Sequence, residues 1–314
     1  MSGETSTLGQ FGSQSALNAT GLGAELTLTL MVALHVAAVV IFLGVMGAVA
    51  WAWFRDSGGR AWWIWTGGVA IPAVALSVLV VGSTLTLAAI RADAEADDTT
   101  VIAVRGYQFW WDVTYDPDGD PVRDGNEIYL PLGEPVTFRL TSEDVIHSFW
   151  IPSISGKMDM IPGRVNELTV TAHELGRFRG QCAEFCGMSH PLMAFEVVVV
   201  PTEDFRTFVA GLRDEARDPD TPLLLAGREV FLNAGCAACH AIRGEAEGGV
   251  LGPDLSRIGA RAALGAGMWP MNVGNLAGWI ADVQDMKPGA NMPSYNHLSG
   301  PDLRAVAHYL DSLK

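Results

Sequence analysis

Two apolar runs, Leu26 to Phe54 and Ala61 to Ile90, leave this chain few ways to fold. Each exceeds the roughly 20 residues that a helix needs to cross a bilayer. Only Arg55-Asp56-Ser57-Gly58-Gly59-Arg60 separates them, so the pair reads as a transmembrane hairpin closed by a tight turn. Two such runs in tandem argue against core helices of a soluble protein. The turn carries two arginines, and residues 1–24 carry no Lys or Arg, which puts the turn in the cytoplasm. Both termini then lie on the periplasmic face of a bacterial cell membrane. Trp51, Trp53, Trp62, Trp63 and Trp65 gather at the turn end, as an interfacial aromatic belt does. His35 sits inside the first span, and the expectation is a neutral imidazole bonded to the neighbouring helix. Residues 1–24 lack the basic start and short apolar core of a secretory signal and read as a retained polar tail.

The hairpin reconciles a 49% hydrophobic content with a net charge of -15 over 314 residues, because the apolar residues are concentrated in it. The acidic balance argues against nucleic acid as a partner and permits docking of a basic protein. Beyond a charged linker, Arg91 to Asp98, the pattern changes to short alternating runs. These are Val101 to Val104, Gln108 to Tyr115, Glu127 to Leu130, Pro135 to Leu140, Glu167 to Thr171 and Met193 to Val200. Short strands at this spacing, with Gly, Pro and Asp between them, predict an all-β sandwich or barrel over 99–201.

Within it lies Gln181-Cys182-Ala183-Glu184-Phe185-Cys186-Gly187-Met188-Ser189-His190-Pro191-Leu192-Met193, spaced Cys-x3-Cys-x3-His-x2-Met. Thiolates, imidazole and a weak thioether suit copper, and a second Cys lets two thiolates bridge a pair of ions. A further His is supplied by His147, just after a strand-like run. A Cys182–Cys186 disulfide leaves the His and Met spacing to chance, and a Cys2His2 zinc site ignores Met193. The pattern closely resembles the dinuclear copper A site of cytochrome c oxidase subunit II. That resemblance implies a cupredoxin-like Greek-key fold with the copper loop between its last two strands. It makes Cys182 and Cys186 the bridging thiolates, His147 and His190 the terminal imidazoles, and Met193 and the Glu184 carbonyl the weak ligands. It also implies a magnesium ion held in part by the Glu184 side chain, and a point beside the copper, at Phe109, Trp110 and Trp111, where electrons pass in from a soluble cytochrome. Many relatives carry a Glu near the start of the second span, at a proton-channel mouth; here Arg60 to Trp65 holds no carboxylate.

Residues 202–217 read as an amphipathic helix, and Asp218-Pro219-Asp220-Thr221-Pro222 marks a boundary. Cys236-Ala237-Ala238-Cys239-His240 then presents the C-x-x-C-H signature of covalent haem attachment: two thiols for the two vinyl groups, and a His delivered to the iron. A thioredoxin-type pair does not call for His240. All four cysteines are thereby used in two short motifs, so no disulfide framework is implied. The segment 223–314 resembles a class I cytochrome c, an all-α domain whose terminal helices would pack through Gly227, Phe231 and Tyr309. Gly252-Pro253-Asp254-Leu255 falls where that family braces the proximal His. The sixth ligand is expected among Met268, Met271, Met286 and Met292, with Met292 in Asn291-Met292-Pro293 the best match and His297 a fallback. His/Met ligation favours electron transfer over oxygen binding.

Taken together, the chain resembles subunit II of a bacterial haem-copper oxidase with a cytochrome c fused at its C-terminus. The expected architecture is a multidomain membrane protein: tail 1–24, hairpin 25–92, copper domain 99–201, helix and linker 202–222, cytochrome domain 223–314. The resemblance implies a route from a donor (cytochrome c or a bc-type complex) through haem c and copper A to subunit I, where dioxygen reduction and proton pumping occur. Subunit III is a further implied partner. His35 is the only histidine of the two spans, so a transmembrane bis-His haem is not expected. A linker from Pro201 to Leu223, extended at about 3.3 Å per residue, predicts a mobile cytochrome domain held at high effective concentration. Alternatives are a copper A subunit of a membrane nitric-oxide reductase and, from another class, a periplasmic copper-binding protein, which has no use for covalent haem. A nitrous-oxide reductase needs more histidines than the seven present.

Overall fold

The computed structural model describes residues 12–54, 61–94, 99–116 and 118–314. The arginine-bearing turn 55–60 and residues 1–11 of the tail lie outside them. Helix α1 (Leu22–Phe54) is apolar throughout, and its return partner is α2 (Ala61–Trp65), a π-helical turn (Thr66–Ala70) and α3 (Ile71–Ala94). The π turn falls at Gly67-Gly68, where the backbone is least constrained to α geometry. Both helices are long and apolar enough to span a membrane. Trp62 stacks on Trp63 at 4.7 Å, and Trp51 of α1 lies 6.4 Å from Trp63, so these three Trp rings meet across the hairpin at its turn end. His35 Nδ1 bonds to the Met31 carbonyl one turn back at 2.8 Å. The expected bond to the neighbouring helix is thus replaced by one within α1, the shortest reach for a ring on a regular helix.

The β-domain packs two five-stranded sheets face to face. One runs β3 (Val122–Gly125), β2 (Trp110–Tyr115), β1 (Thr100–Tyr107), β5 (Pro135–Ser142), β8 (Asn166–Thr171). The other runs β4 (Glu127–Pro131), β10 (Ala194–Val200), β9 (Gly176–Cys182), β6 (His147–Trp150), β7 (Met158–Met160). Parallel pairs β1/β5 and β4/β10 within mostly antiparallel sheets give a Greek-key sandwich of the cupredoxin kind. Trp111, Phe138, Phe149 and Phe195 fill its centre, Phe149 stacking on Phe195 at 4.6 Å.

Residues 12–21 are not a free tail. Ser13 pairs with Phe178 on the β9 edge, and Gly21 with Ala172 beyond β8. Thr20 N donates to Ser153 O at 2.7 Å, and His173 N to Thr20 O at 2.7 Å. The strap satisfies strand-edge groups that would otherwise be unpaired.

Helix α4 (Thr202–Gly211) lies against β4 through Phe208, which stacks on Tyr129 at 3.7 Å. The C-terminal domain comprises α5 (Pro222–Asn233), α6 (Val273–Ala281), α7 (Val283–Met286) and α8 (Gly300–Ser312), with a two-residue ribbon β11 (Ala263–Leu264)/β12 (Trp269–Pro270). Caps start three of these helices: Thr221, Asn272 and Ser299 each accept a main-chain N–H. α5 and α8 cross at Gly227, where a Cβ would lie 2.6 Å from Tyr309 Cβ, and Phe231 meets the Tyr309 ring at 6.2 Å.

The haem-type domain does not hang from an extended linker. Ala194 N donates to Ala266 O at 3.1 Å, Arg179 reaches the Gly267 carbonyl and Met268 Sδ (3.2 Å), and Ala216 N bonds Arg243 O at 3.0 Å. Arg261 forms a buried ion pair with Asp124, its Nε 3.0 Å from Oδ1. The linker from Pro201 to Leu223 is not extended: the helix expected at its start forms over Thr202–Gly211, and Ala216 is already bonded to the C-terminal domain.

Candidate metal centre and haem cavity

Strand β9 delivers Cys182, and the loop to β10 turns back through Gly187, whose φ of 129° favours glycine. A Cβ there would meet Gln108 Nε2 at 2.8 Å. In the neighbouring strand Phe149 is in register with Cys182, which sets His147 beside the loop. Gly106 of β1 leaves room for that imidazole, since a Cβ would lie 2.9 Å from its Cδ2.

The donors converge. Cys182 and Cys186 Sγ are 3.8 Å apart, too far for the roughly 2.05 Å of a disulfide. Cys182 Sγ lies 3.8 Å from His147 Nδ1 and 3.1 Å from the Glu184 carbonyl; Cys186 Sγ lies 3.6 Å from His190 Nδ1 and 3.8 Å from Met193 Sδ. All six atoms expected from the sequence are brought together, and all but His190 and Glu184 belong to buried residues. Hydrogen bonding from Cys186 pulls the Cys182 thiol down to about 3, and that neighbouring thiolate, with burial, drives the Cys186 thiol up. Two adjacent thiolates need a cation between them, and the set fits a pair of copper ions: two shareable thiolates, two imidazoles, a thioether and a carbonyl. A tetrahedral zinc site would leave the last two idle.

Asp144 accepts His147 Nε2–H at 2.8 Å, which leaves Nδ1 bearing the lone pair toward the thiolates. Burial pushes the Asp144 carboxyl up, but bonds from His147, Gln108 N and Val145 N (both 2.6 Å) outweigh it and hold the group low. The Glu184 carboxylate is 3.6 Å from Lys157 Nζ, which also reaches Asp159 at 3.2 Å. Among the described residues, only His147, Cys182 and Cys186 form a group of three or more His, Cys, Asp or Glu donors close enough to share a metal.

A cavity of about 410 Å³ opens beside this centre. Cys236, Cys239 and His240 line it, with Met292 the only one of the four candidate methionines among its lining residues. His240 Nδ1 donates to the Pro253 carbonyl at 2.9 Å, leaving Nε2 as the ligand nitrogen. Gly252 lies so close that a Cβ would sit 2.5 Å from the ring Cε1. Two thiols, an oriented neutral imidazole and a thioether on one apolar cavity fit a covalently attached haem. His297 is not in the wall and packs near the Tyr295 ring at 5.7 Å.

Phe109 and Trp110 of the β-domain also line this cavity, Trp110 stacked on Tyr107 at 4.7 Å. Trp111 is fully buried, 6.1 Å from the His147 ring. The aromatic cluster therefore faces the chain's own C-terminal domain and not a free surface open to a soluble cytochrome. Between the two sites, Ser189 Oγ–H donates to the Pro288 carbonyl at 2.6 Å, joining the copper loop to the Met292 loop.

Residues 121–200 match the family model for the periplasmic domain of cytochrome c oxidase subunit II, and 224–314 match that for cytochrome c. Cytochrome c oxidase subunit 2 of Alkalihalophilus pseudofirmus is 39% identical over 251 residues, 80% of this chain and 72% of that protein. The subunit 2 of Bacillus sp. strain PS3 is 34% identical over 268 residues, 80% of this chain and 73% of its own. The chain belongs to the cytochrome c oxidase subunit 2 family. The periplasmic domain of Bradyrhizobium japonicum oxidase subunit II aligns at a TM-score of 0.35 and 30% identity, over 38% of this chain and 95% of that domain. As a member of this family the chain is a membrane subunit of a haem-copper oxidase, an oxidoreductase that functions with other subunits.

Sequence reasoning alone passes over Asp144, Gln108, Ser189, Lys287 and the Asp124–Arg261 pair. Asp144, three residues before His147, is within local reach of it and open to inference; the others act across segments far apart in the chain.

Proposed function

We propose that this subunit carries electrons from an external donor, through a haem c held by Cys236, Cys239, His240 and Met292, to a dinuclear copper A centre. The copper ligands are His147, Cys182, the Glu184 carbonyl, Cys186, His190 and Met193. When bound, haem and copper supply reversible one-electron chemistry. The chain's own residues hold, orient and dry the two sites. The observation that carries the reading is the Ser189–Pro288 bond, which ties a loop of copper ligands to the loop bearing the sixth haem ligand. Phe109, buried between Gly187 and Gly289, fills the same wall. In this reading the aromatic segment receives electrons from the tethered haem.

Electrons pass next to subunit I, where dioxygen is reduced and protons are pumped. The turn 55–60 lies in the cytoplasm, both termini and both redox domains lie outside, and the boundaries fall near 99, 201 and 223. Subunit III, a cytochrome c or bc-type donor, and a magnesium ion shared with subunit I through Glu184 complete the assembly; magnesium there has to displace Lys157 from that carboxylate. Metal analysis and electron paramagnetic resonance on the full chain, matured with haem and copper, test the reading. Two coppers and one iron per chain, with one signal delocalised over both coppers, are expected. Iron without a copper pair would defeat it.

A further inference from the structure

Lys287 belongs to neither ligand set, yet it lies between the two sites. Its side chain is 2% exposed, and Nζ donates to the Gly265 carbonyl at 2.8 Å. Among the described residues no carboxylate comes within ion-pair distance of it. A buried ammonium without an anion is destabilising by several kcal/mol, and any aliphatic side chain would fill the same space without that penalty. Burial pushes Lys287 down to about 7, and the next residue, Pro288, accepts the bond from Ser189 of the copper loop. The same side chain lines the cavity that holds Cys236, Cys239, His240 and Met292.

We propose that Lys287 is a redox-positioning residue shared by both centres: in its ammonium form it favours the reduced form of the haem and of the copper pair. This rests on the haem-to-copper reading above. Transfer between the centres is a one-electron step: ferrous haem iron becomes ferric, the copper pair gains the electron, and no proton need move. A cation beside donor and acceptor raises both midpoint potentials, so their difference moves less than either one. It thereby sets the potential at which the subunit accepts electrons from outside, without weakening the internal step. A buried lysine kept in a low-dielectric seam suits that task, because little solvent screens it.

The test is a redox titration of both centres in the full, haem- and copper-loaded chain, run on the acidic side of the Lys287 value so that the parent carries its charge. In K287M both midpoint potentials should fall, their difference moving less than either one. In K287R both should stay close to the parent. K287Q, which keeps a donor for Gly265 O and drops the charge, should behave like K287M and guards against a misfolded variant. Optical and paramagnetic spectra matching the parent show that both centres are intact. Unmoved potentials, or a fall confined to one centre, would overturn the proposal. Failure to find haem and a copper pair in the parent protein would instead remove the reading on which it rests.

Discussion

Replacing Asp124 by Ala should loosen the seam between the β-domain and the C-terminal domain. Asp124 and Arg261 side chains are 7% and 5% exposed, so neither charge is well solvated if the other is removed. At 3.0 Å, Nε to Oδ1, Coulomb attraction in an effective dielectric of about 20 amounts to about 5 kcal/mol before desolvation. Deleting one partner of a buried pair typically destabilises by about 3–5 kcal/mol, because the other is left uncompensated. Arg261 keeps the Asp254 carbonyl at 2.6 Å as a second acceptor, which places D124A at the lower end, about 3 kcal/mol. R261A leaves a buried carboxylate and should cost at least as much. The double variant should lose less than the sum of the singles, by about 2 kcal/mol or more. Urea unfolding of detergent-solubilised protein, followed separately at haem and copper absorption bands, measures all three. Single variants within about 1 kcal/mol of the parent, or a strictly additive double, would show that the seam is held by other contacts and that this pair adds nothing.

S189A removes the hydroxyl that bonds Pro288 O without touching a ligand; haem-to-copper transfer after flash reduction should slow several-fold, while metal content and spectra stay unchanged. G252A forces a methyl into the His240 ring and should destabilise the C-terminal domain by about 1–3 kcal/mol, read as a lower haem-monitored unfolding midpoint and a perturbed haem spectrum. Burial raises the carboxyl groups of Glu127 and Glu196, despite Arg177 and Arg179 nearby. The folded state thus binds more protons than the unfolded one between about pH 4.3 and their higher native values, and stability falls as pH rises through that window. E127Q should flatten this slope in urea unfolding across the mildly acidic range; an unchanged slope would exclude Glu127 as its source.

Much of this molecule is legible in its sequence because short local patterns carry it. The hairpin follows from run length alone, and the ligand residues follow from two compact motifs whose chemistry admits few alternatives. Strands β1, β2, β4, β5, β8 and β10 stand out because they alternate or are rich in β-branched and aromatic residues. Strand β9, Gly176-Arg177-Phe178-Arg179-Gly180-Gln181-Cys182, does not: two glycines and two arginines disguise it. The reason appears only in three dimensions, where Phe195 fills the space over Gly180 and both arginines serve buried carboxylates. The docking of the two redox domains is likewise illegible. Ser189, Asp124 and Arg261 each look like ordinary surface residues until a segment 99 to 137 residues away covers them, and Lys287 until it reaches Gly265. The linker misleads for a related reason, since residue count sets the maximum span of a chain and says nothing of whether it is packed.

The strap of residues 12–21 has a bearing on how this subunit is made. Its first described residues pair with β9, which is synthesised some 165 positions later, and the membrane hairpin lies between the two in the chain. Strand β9 can acquire that edge partner only where the segment ahead of α1 and the β-domain lie on one side of the bilayer. The sheet that bears the copper ligands therefore keeps its strap only on molecules whose two helices return the chain to the side it left.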